Sequence, residues 1–252
     1  MEEPCLVTSL FAKVIDKPEI YHCKAHGEHV SKAACLLGKL LGFSDKDVLV
    51  LRASGLWHDV GMILDDCKES DKHEEAGADH LRHLCDGDSF CLRVADTIME
   101  APKVVVAETA ETKGNKLTLP RLLSIADYIA QCANPCYLLM LGKLFETFDR
   151  AKKARGYDEN RFRTKTELLY DDFIENVIYP AVRPYLELQG MEENRRGFEL
   201  NMQIRRVARE KGITYEQLAE RIRKEAGIEG DELNWNLPVT LEVLEALLQR
   251  MQ

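Results

Sequence analysis

Histidine and aspartate are the residues of this chain whose types and spacing could do chemistry. All seven histidines fall between His22 and His83, and imidazole is the commonest side-chain ligand of transition metals. His58 is followed directly by Asp59 in the stretch Leu51-Arg52-Ala53-Ser54-Gly55-Leu56-Trp57-His58-Asp59-Val60-Gly61, and Asp127 lies between Ile125 and Ile129. Acids and imidazoles in segments that otherwise favour burial are costly unless something pairs them, and a bound cation does so. His26 stands at the start of a preceding apolar repeat. Such nitrogen and oxygen donors suit a divalent ion (Mn, Fe, Co, Ni, Zn or Mg), with positions left for water and substrate. For the histidines taken alone, chance clustering on a polar surface is the plain alternative.

The elements that must position these side chains are helical almost throughout. From His26 the residues Val30, Ala34, Leu37 and Leu41 recur at three- and four-residue intervals, the spacing of one helix face. Ser44 with Asp47 three residues on is capping-box-like and opens a second helix running through Leu51 to His58, which Gly61 can end. A third helix is expected from His73 through Leu81 and Leu84. Thr118-Leu119-Pro120 then reads as a helix start leading into Leu122, Ile125, Asp127 and Ile129. The β-branched run Val104 to Val106 is too short to change the class. The fold class is therefore all-α.

Residues 150 to 165 are highly charged and read as a solvated loop or an exposed helix face; helices resume through Ile174, Val177, Ile178 and Val182. The polar stretch Gln189 to Asn194 reads as a linker. Residues 1–190 are accordingly expected to form one helical bundle and residues 195–252 a small helical domain. In the latter, a basic helix carries Ile204, Val207 and Ala208, Thr214 caps a helix with Gln217 at the capping-box position, and a helix from Thr240 aligns Leu241, Leu244, Leu248 and Met251.

Composition narrows the function classes. The 252 residues are 45% hydrophobic and 31% charged, ordinary for a soluble globular protein. A net charge of -9 argues against broad electrostatic binding to nucleic acid or anionic membrane. No apolar run approaches the length of a membrane span, and Met1-Glu2-Glu3-Pro4 lacks the basic start of a signal peptide. The expected location is cytoplasmic. The eight cysteines form no C-x-x-C pair and are read as small, mostly buried thiols.

Four segments, in order, resemble the HD superfamily of metal-dependent phosphohydrolases, and most of all a degenerate HD-GYP-like branch. They are Ile20-Tyr21 through His26-Gly27-Glu28-His29-Val30, then Leu56-Trp57-His58-Asp59-Val60-Gly61, then His73-Glu74-Glu75-Ala76-Gly77-Ala78, and finally Arg121-Leu122-Leu123-Ser124-Ile125-Ala126-Asp127. The resemblance covers roughly residues 10 to 135. It implies an all-helical fold, hydrolysis of phosphate esters that are often nucleotides, and His26, His58, Asp59 and Asp127 as metal ligands.

The departures from that branch bear on the site. Met62 stands where the branch carries lysine, Met99 and Glu100 stand near the place of a histidine pair, and Gly156-Tyr157 is followed by Asp158 rather than proline. These argue against a full two- or three-metal cyclic dinucleotide site. His73 is a candidate ligand for a second ion, with Glu100 or Asp16 completing it, and a helix-starting residue otherwise. His80 and His83 read as exposed neighbours on one helix face, His22 and His29 as supporting or surface residues, Asp65 and Asp66 as turn caps, and Met140 as core.

The function implied is metal-dependent hydrolysis of a nucleotide or other small phosphate ester, a phosphomonoesterase or phosphodiesterase reaction by metal-bound hydroxide. His58 and Asp59 carry the catalysis, with Asp59 also orienting or accepting a proton from water. Lys103, Lys24 and Arg52 are the candidate cations for substrate phosphate. The alternative is a non-catalytic module of the same family that binds a nucleotide or a protein and regulates through its C-terminal domain. That domain resembles the Cro/repressor type of helix-turn-helix over Arg205 to Ala219, and between residues 195 and 224 nine basic residues face four acidic ones, an excess suited to phosphate contacts. The segment Gly230 to Asn236, where a reading helix belongs, is acidic and irregular. A helical dimerisation or substrate-covering module is the competing reading, and DNA is the less favoured partner.

Overall fold

The computed structural model describes residues 11, 24–64, 73–102, 117–142, 170–230 and 233–252. Among them the chain is all-helical, with no strand. No described helix is long and apolar enough to cross a membrane. The chain divides into two compact units, one of residues 1–131 with 188–190, the other of residues 132–187 with 191–252.

The first unit is built on α1 (Lys24–Leu40) and α2 (Asp45–Trp57). The apolar repeat of α1 buries Val30, Ala34 and Leu37, and α2 buries Val48, Leu51 and Trp57. Ser44 caps α2, its hydroxyl oxygen accepting from the Asp47 amide at 3.2 Å. The Asp47 carboxylate accepts from the Ser44 hydroxyl at 2.7 Å and from the Arg93 guanidinium; both contacts lower its pKa, and the Ser44 backbone lowers it further. The short 3-10 turn Val60–Ile63 follows α2.

Next come α3 (His73–Leu84) and α4 (Ser89–Met99). The latter has no counterpart in the helices expected from sequence. Its signals are the N-cap Asp88, which accepts from the Cys91 amide at 2.8 Å, and the buried face of Phe90, Val94 and Ile98. The turn between α3 and α4 uses positive φ at Asp86 (44°) and Gly87 (83°). It brings Cys85 and Cys91 together, and they are joined as a disulfide rather than standing as two thiols; Cys35, Cys132 and Cys136 form no disulfide. The unit closes with α5 (Leu119–Cys132), whose buried stripe is Leu122, Leu123, Ile125, Ala126 and Ile129.

In the second unit a helix from residue 170 passes through a π turn at Ile174–Ile178 into α6 (Tyr179–Leu186). Then follow α7 (Glu192–Glu210), α8 (Tyr215–Glu225) and α9 (Leu241–Met251). The stretch read as a linker is shorter than expected: Glu192 and Glu193 already form the first turn of α7, where two carboxylates favour the positive end of the helix dipole. The Thr214–Gln217 capping box is present in full, and Thr240 caps α9. The core collects Phe198, Ile204, Leu218, Ile222, Trp235, Leu244 and Leu248.

One polar cluster lies inside this core. Arg205 donates to both carboxylate oxygens of Asp171, at 3.2 and 2.6 Å. The Tyr215 hydroxyl donates to the same carboxylate at 2.7 Å, and the guanidinium lies over the Tyr215 ring. Asn201 donates to the carbonyls of Cys132 and Asn134, meeting acceptors that a helix end leaves open. Of the basic residues on α7, Arg196 pairs with Glu242 and Glu245, and Arg206 and Arg209 pair with Glu175. The segment Leu233 to Thr240, following α8, is non-helical.

Candidate metal centre

Four helical elements of the first unit deliver the polar residues singled out by sequence. His26 comes from the first turn of α1, His58 and Asp59 directly follow α2, His73 starts α3 and Asp127 lies on α5. Each belongs to an element with a largely apolar buried side, so packing those sides together brings the polar residues inward with them. His26 and His58 are 2% and 7% exposed, and their rings meet edge-on with centroids 5.3 Å apart.

The donor atoms converge. Nε2 of His26 lies 3.4 Å from Asp59 Oδ2 and 3.2 Å from Asp127 Oδ1. Nε2 of His58 lies 3.1 Å from Asp59 Oδ2 and 3.6 Å from Asp127 Oδ1. Two ligands at about 2.1 Å from one ion stand about 3.0 Å apart in cis octahedral positions and about 3.4 Å apart in tetrahedral ones. The four separations fall around those values. His26, His58 and Asp59 each offer a ligand atom, and these lie within 4.8 Å of one another.

Hydrogen bonding sets the orientation of the key ring. Nδ1 of His58 donates to the Gly55 carbonyl at 2.9 Å, as a carbonyl can only accept. The Nε2 lone pair therefore faces the carboxylates, an acceptor among acceptors. His58 Nε2 and Asp127 Oδ1 are buried and have no hydrogen-bond partner. A buried polar atom in that condition costs about 1–3 kcal/mol, and a divalent cation between them satisfies both. The donor set thus fits the ion expected from sequence. A carbonyl that fixes the tautomer of a ligating histidine is the usual support for such a site.

The electrostatics state the same demand for positive charge. Burial lowers the proton affinity of His58, yet Asp59 and Asp127 outweigh it and hold the imidazole well above its ordinary pKa. His26 is likewise raised against burial by Asp127 and Asp59. Asp127 is driven far below the usual carboxylate range, burial being overcome by the two imidazoles. Without a metal, protons take the cation's place.

His73 joins from the other side of Asp59. Its Nε2 lies 3.4 Å from Asp59 Oδ1 and 3.4 Å from Glu74 Oε1, and its pKa is raised, burial being outweighed by Asp59 and Glu74. Asp59 therefore serves His26 and His58 with one oxygen and His73 with the other. Glu74 was missed as a site residue because an acid in the first turn of a helix reads as a partner of the dipole. Glu100, expected beside His73, is the exposed C-cap of α4, and Asp16 lies outside the described residues. Arg52 is exposed on α2, and Lys24 is exposed on α1 and pairs with Glu28 at 3.7 Å. Lys103 lies outside the described residues, as do His22, Asp65, Asp66 and Gly156-Tyr157. His80 is half-buried against Trp57, at 6.5 Å between ring centroids, whereas His83 is exposed.

No curated protein and no solved structure matches the chain. Residues 23–131, the segment that carries His26, His58, Asp59, His73 and Asp127, match the family model described as the HD domain.

Proposed function

We propose that the protein is a metal-dependent phosphohydrolase acting on a nucleotide or other small phosphate ester. The observation that carries this reading is the buried pair His58 Nε2 and Asp127 Oδ1, 3.6 Å apart and without hydrogen-bond partners, in a ring closed by His26 and Asp59. His26 Nε2, His58 Nε2, Asp59 Oδ2 and Asp127 Oδ1 would hold the ion. A divalent ion there supplies Lewis acidity, making water more acidic and neutralising charge on phosphoryl oxygens.

The chain's own residues do the rest. The Gly55 carbonyl keeps His58 in the tautomer that presents Nε2. Asp59 retains Oδ1 for a proton of the attacking water, and His73 Nε2, 3.4 Å away, receives that proton in turn. Arg52, Lys24 and Lys103 are the cations we assign to the remaining phosphate charge, an assignment based on sequence. The protein is placed in the cytoplasm on the same footing.

One feature favours the regulatory alternative: Met62 stands where the HD-GYP-like branch carries lysine, so a cation of that type is missing at its usual place. The second unit, with its capped α8, would then transmit the signal. Metal analysis of the purified protein, followed by a Mn(II)-supplemented screen of nucleotides and p-nitrophenyl phosphates, separates the two. The enzyme reading expects bound metal and turnover that falls at least about 1,000-fold in Asp59→Ala. Bound metal without turnover on any substrate would move the assignment to the regulator.

A further inference from the structure

We propose that Gly55 is a positioning residue of the metal centre, its missing side chain and its carbonyl together fixing how closely the His26 imidazole stands to that of His58. The inference rests on the metal-dependent reading above and adds the device that sets the ligand spacing.

Gly55 lies inside α2, where helix propensity favours alanine over glycine. Packing opposes alanine. A Cβ at this position would lie 2.6 Å from both the amide nitrogen and Cα of Ser31 and 3.0 Å from the carbonyl carbon of Val30. All three are backbone atoms of α1, so no rotamer change relieves the contact. Non-bonded carbons rest about 3.5–4.0 Å apart; α1 and α2 would have to part by about 1 Å.

That crossing is the one that carries the ligands. His26 is five residues before Ser31 on α1, and His58 is three residues after Gly55. Gly27, next to His26, is also tight, since a Cβ there would lie 3.0 Å from the Leu56 carbonyl oxygen. The Ser31 hydroxyl donates to the Arg52 carbonyl at 2.8 Å across the same seam. The Gly55 carbonyl meanwhile holds His58 Nδ1 at 2.9 Å. Metal–ligand distances tolerate about 0.2 Å, so a separation several times larger takes His26 and His58 out of reach of one ion.

Two glycines elsewhere provide controls. Gly38, at the opposite end of α1, would bring a Cβ against the side-chain tips of Leu51 and Val48, at 2.9 and 3.2 Å, which can rotate away. Gly197, in the second unit, would bring one to 2.2 Å from the Ala133 carbonyl oxygen, a backbone clash unrelated to the ligands.

The test is titration of the metal-depleted, full-length protein with Co(II), followed by visible absorption and calorimetry, with a melting curve for every variant. Gly55→Ala is expected to bind Co(II) at least about tenfold more weakly than wild type. Gly38→Ala should stay within about threefold, and Gly197→Ala should lower the melting temperature while also staying within about threefold. Co(II) affinity in Gly55→Ala within threefold of wild type overturns the proposal, as does a loss in Gly197→Ala equal to that in Gly55→Ala. If Gly55→Ala does not fold, the milder Gly27→Ala decides. A several-fold loss supports the role of the crossing, and unchanged affinity ends it. Wild-type protein that binds no Co(II) removes the metal reading itself, a result distinct from wild-type binding that Gly55→Ala leaves intact.

Discussion

Nε2 of His26 and Oδ1 of Asp127 lie 3.2 Å apart, although one residue opens the first described helix and the other belongs to the last helix of the same unit. The contact closes the ring of donors between elements far apart in sequence, and Asp127, like Asp59, sets one carboxylate oxygen against both imidazoles. Asp127→Ala is expected to weaken divalent-metal affinity by at least about 100-fold. It also removes one of the two acids that raise His26 and His58. Co(II) titration of the variant checks this; affinity near that of wild type would show that the ion is held without α5.

Stability of the metal-free protein should depend on pH with a definite sign. His26, His58 and His73 are all raised above the ordinary value of 6.5. Their contribution is therefore fully present below about pH 6.5 and is lost as pH rises through the folded-state values. Asp127, lowered from 3.8, contributes above about pH 3.8 and is lost as acid protonates it. A divalent ion replaces the protons, so the rise in melting temperature on adding Mn(II) should grow from pH 6 to pH 8.5. A metal-induced shift that shrinks over that range would contradict the arrangement.

In the second unit, removing one partner of the buried pair Asp171–Arg205 leaves an uncompensated guanidinium. Asp171→Ala is expected to cost about 3–5 kcal/mol of unfolding free energy in that unit, because Tyr215 loses its acceptor at the same time. Urea melts measure the loss. Co(II) affinity should be unchanged, which separates this variant from those at the metal ring.

The Cys85–Cys91 bridge closes a short loop between α3 and α4. Loop-closure entropy for a loop of this size corresponds to about 2 kcal/mol. Treatment with dithiothreitol, or Cys85→Ser with Cys91→Ser, should lower the melting temperature accordingly. Mass spectrometry of the unreduced protein after alkylation should show neither sulfur alkylated; alkylation of both would show that the bridge is not formed.

Much of the site was legible from sequence because its residues violate the pattern around them. Asp127 between Ile125 and Ile129, and His58-Asp59 at the end of an apolar helix, are polar groups where spacing calls for burial, and burial without a partner is costly. Helix starts at Ser44, Thr118, Thr214 and Thr240 were equally readable, since a cap is a local hydrogen bond between residues three apart. Other features depend on contacts that spacing does not encode. The Asp47 carboxylate turned to Arg93, Cys85 met Cys91 across a turn with positive φ, and Glu74 reached His73, each through a neighbour supplied by packing. The sequence by itself showed a helical chain and marked His26, His58, Asp59 and Asp127 as polar groups in stretches that favour burial. Only the tertiary structure decided that the His26 and His58 imidazoles each stand 3.1 to 3.6 Å from carboxylate oxygens of Asp59 and Asp127, because those distances depend on how helices far apart in sequence pack together.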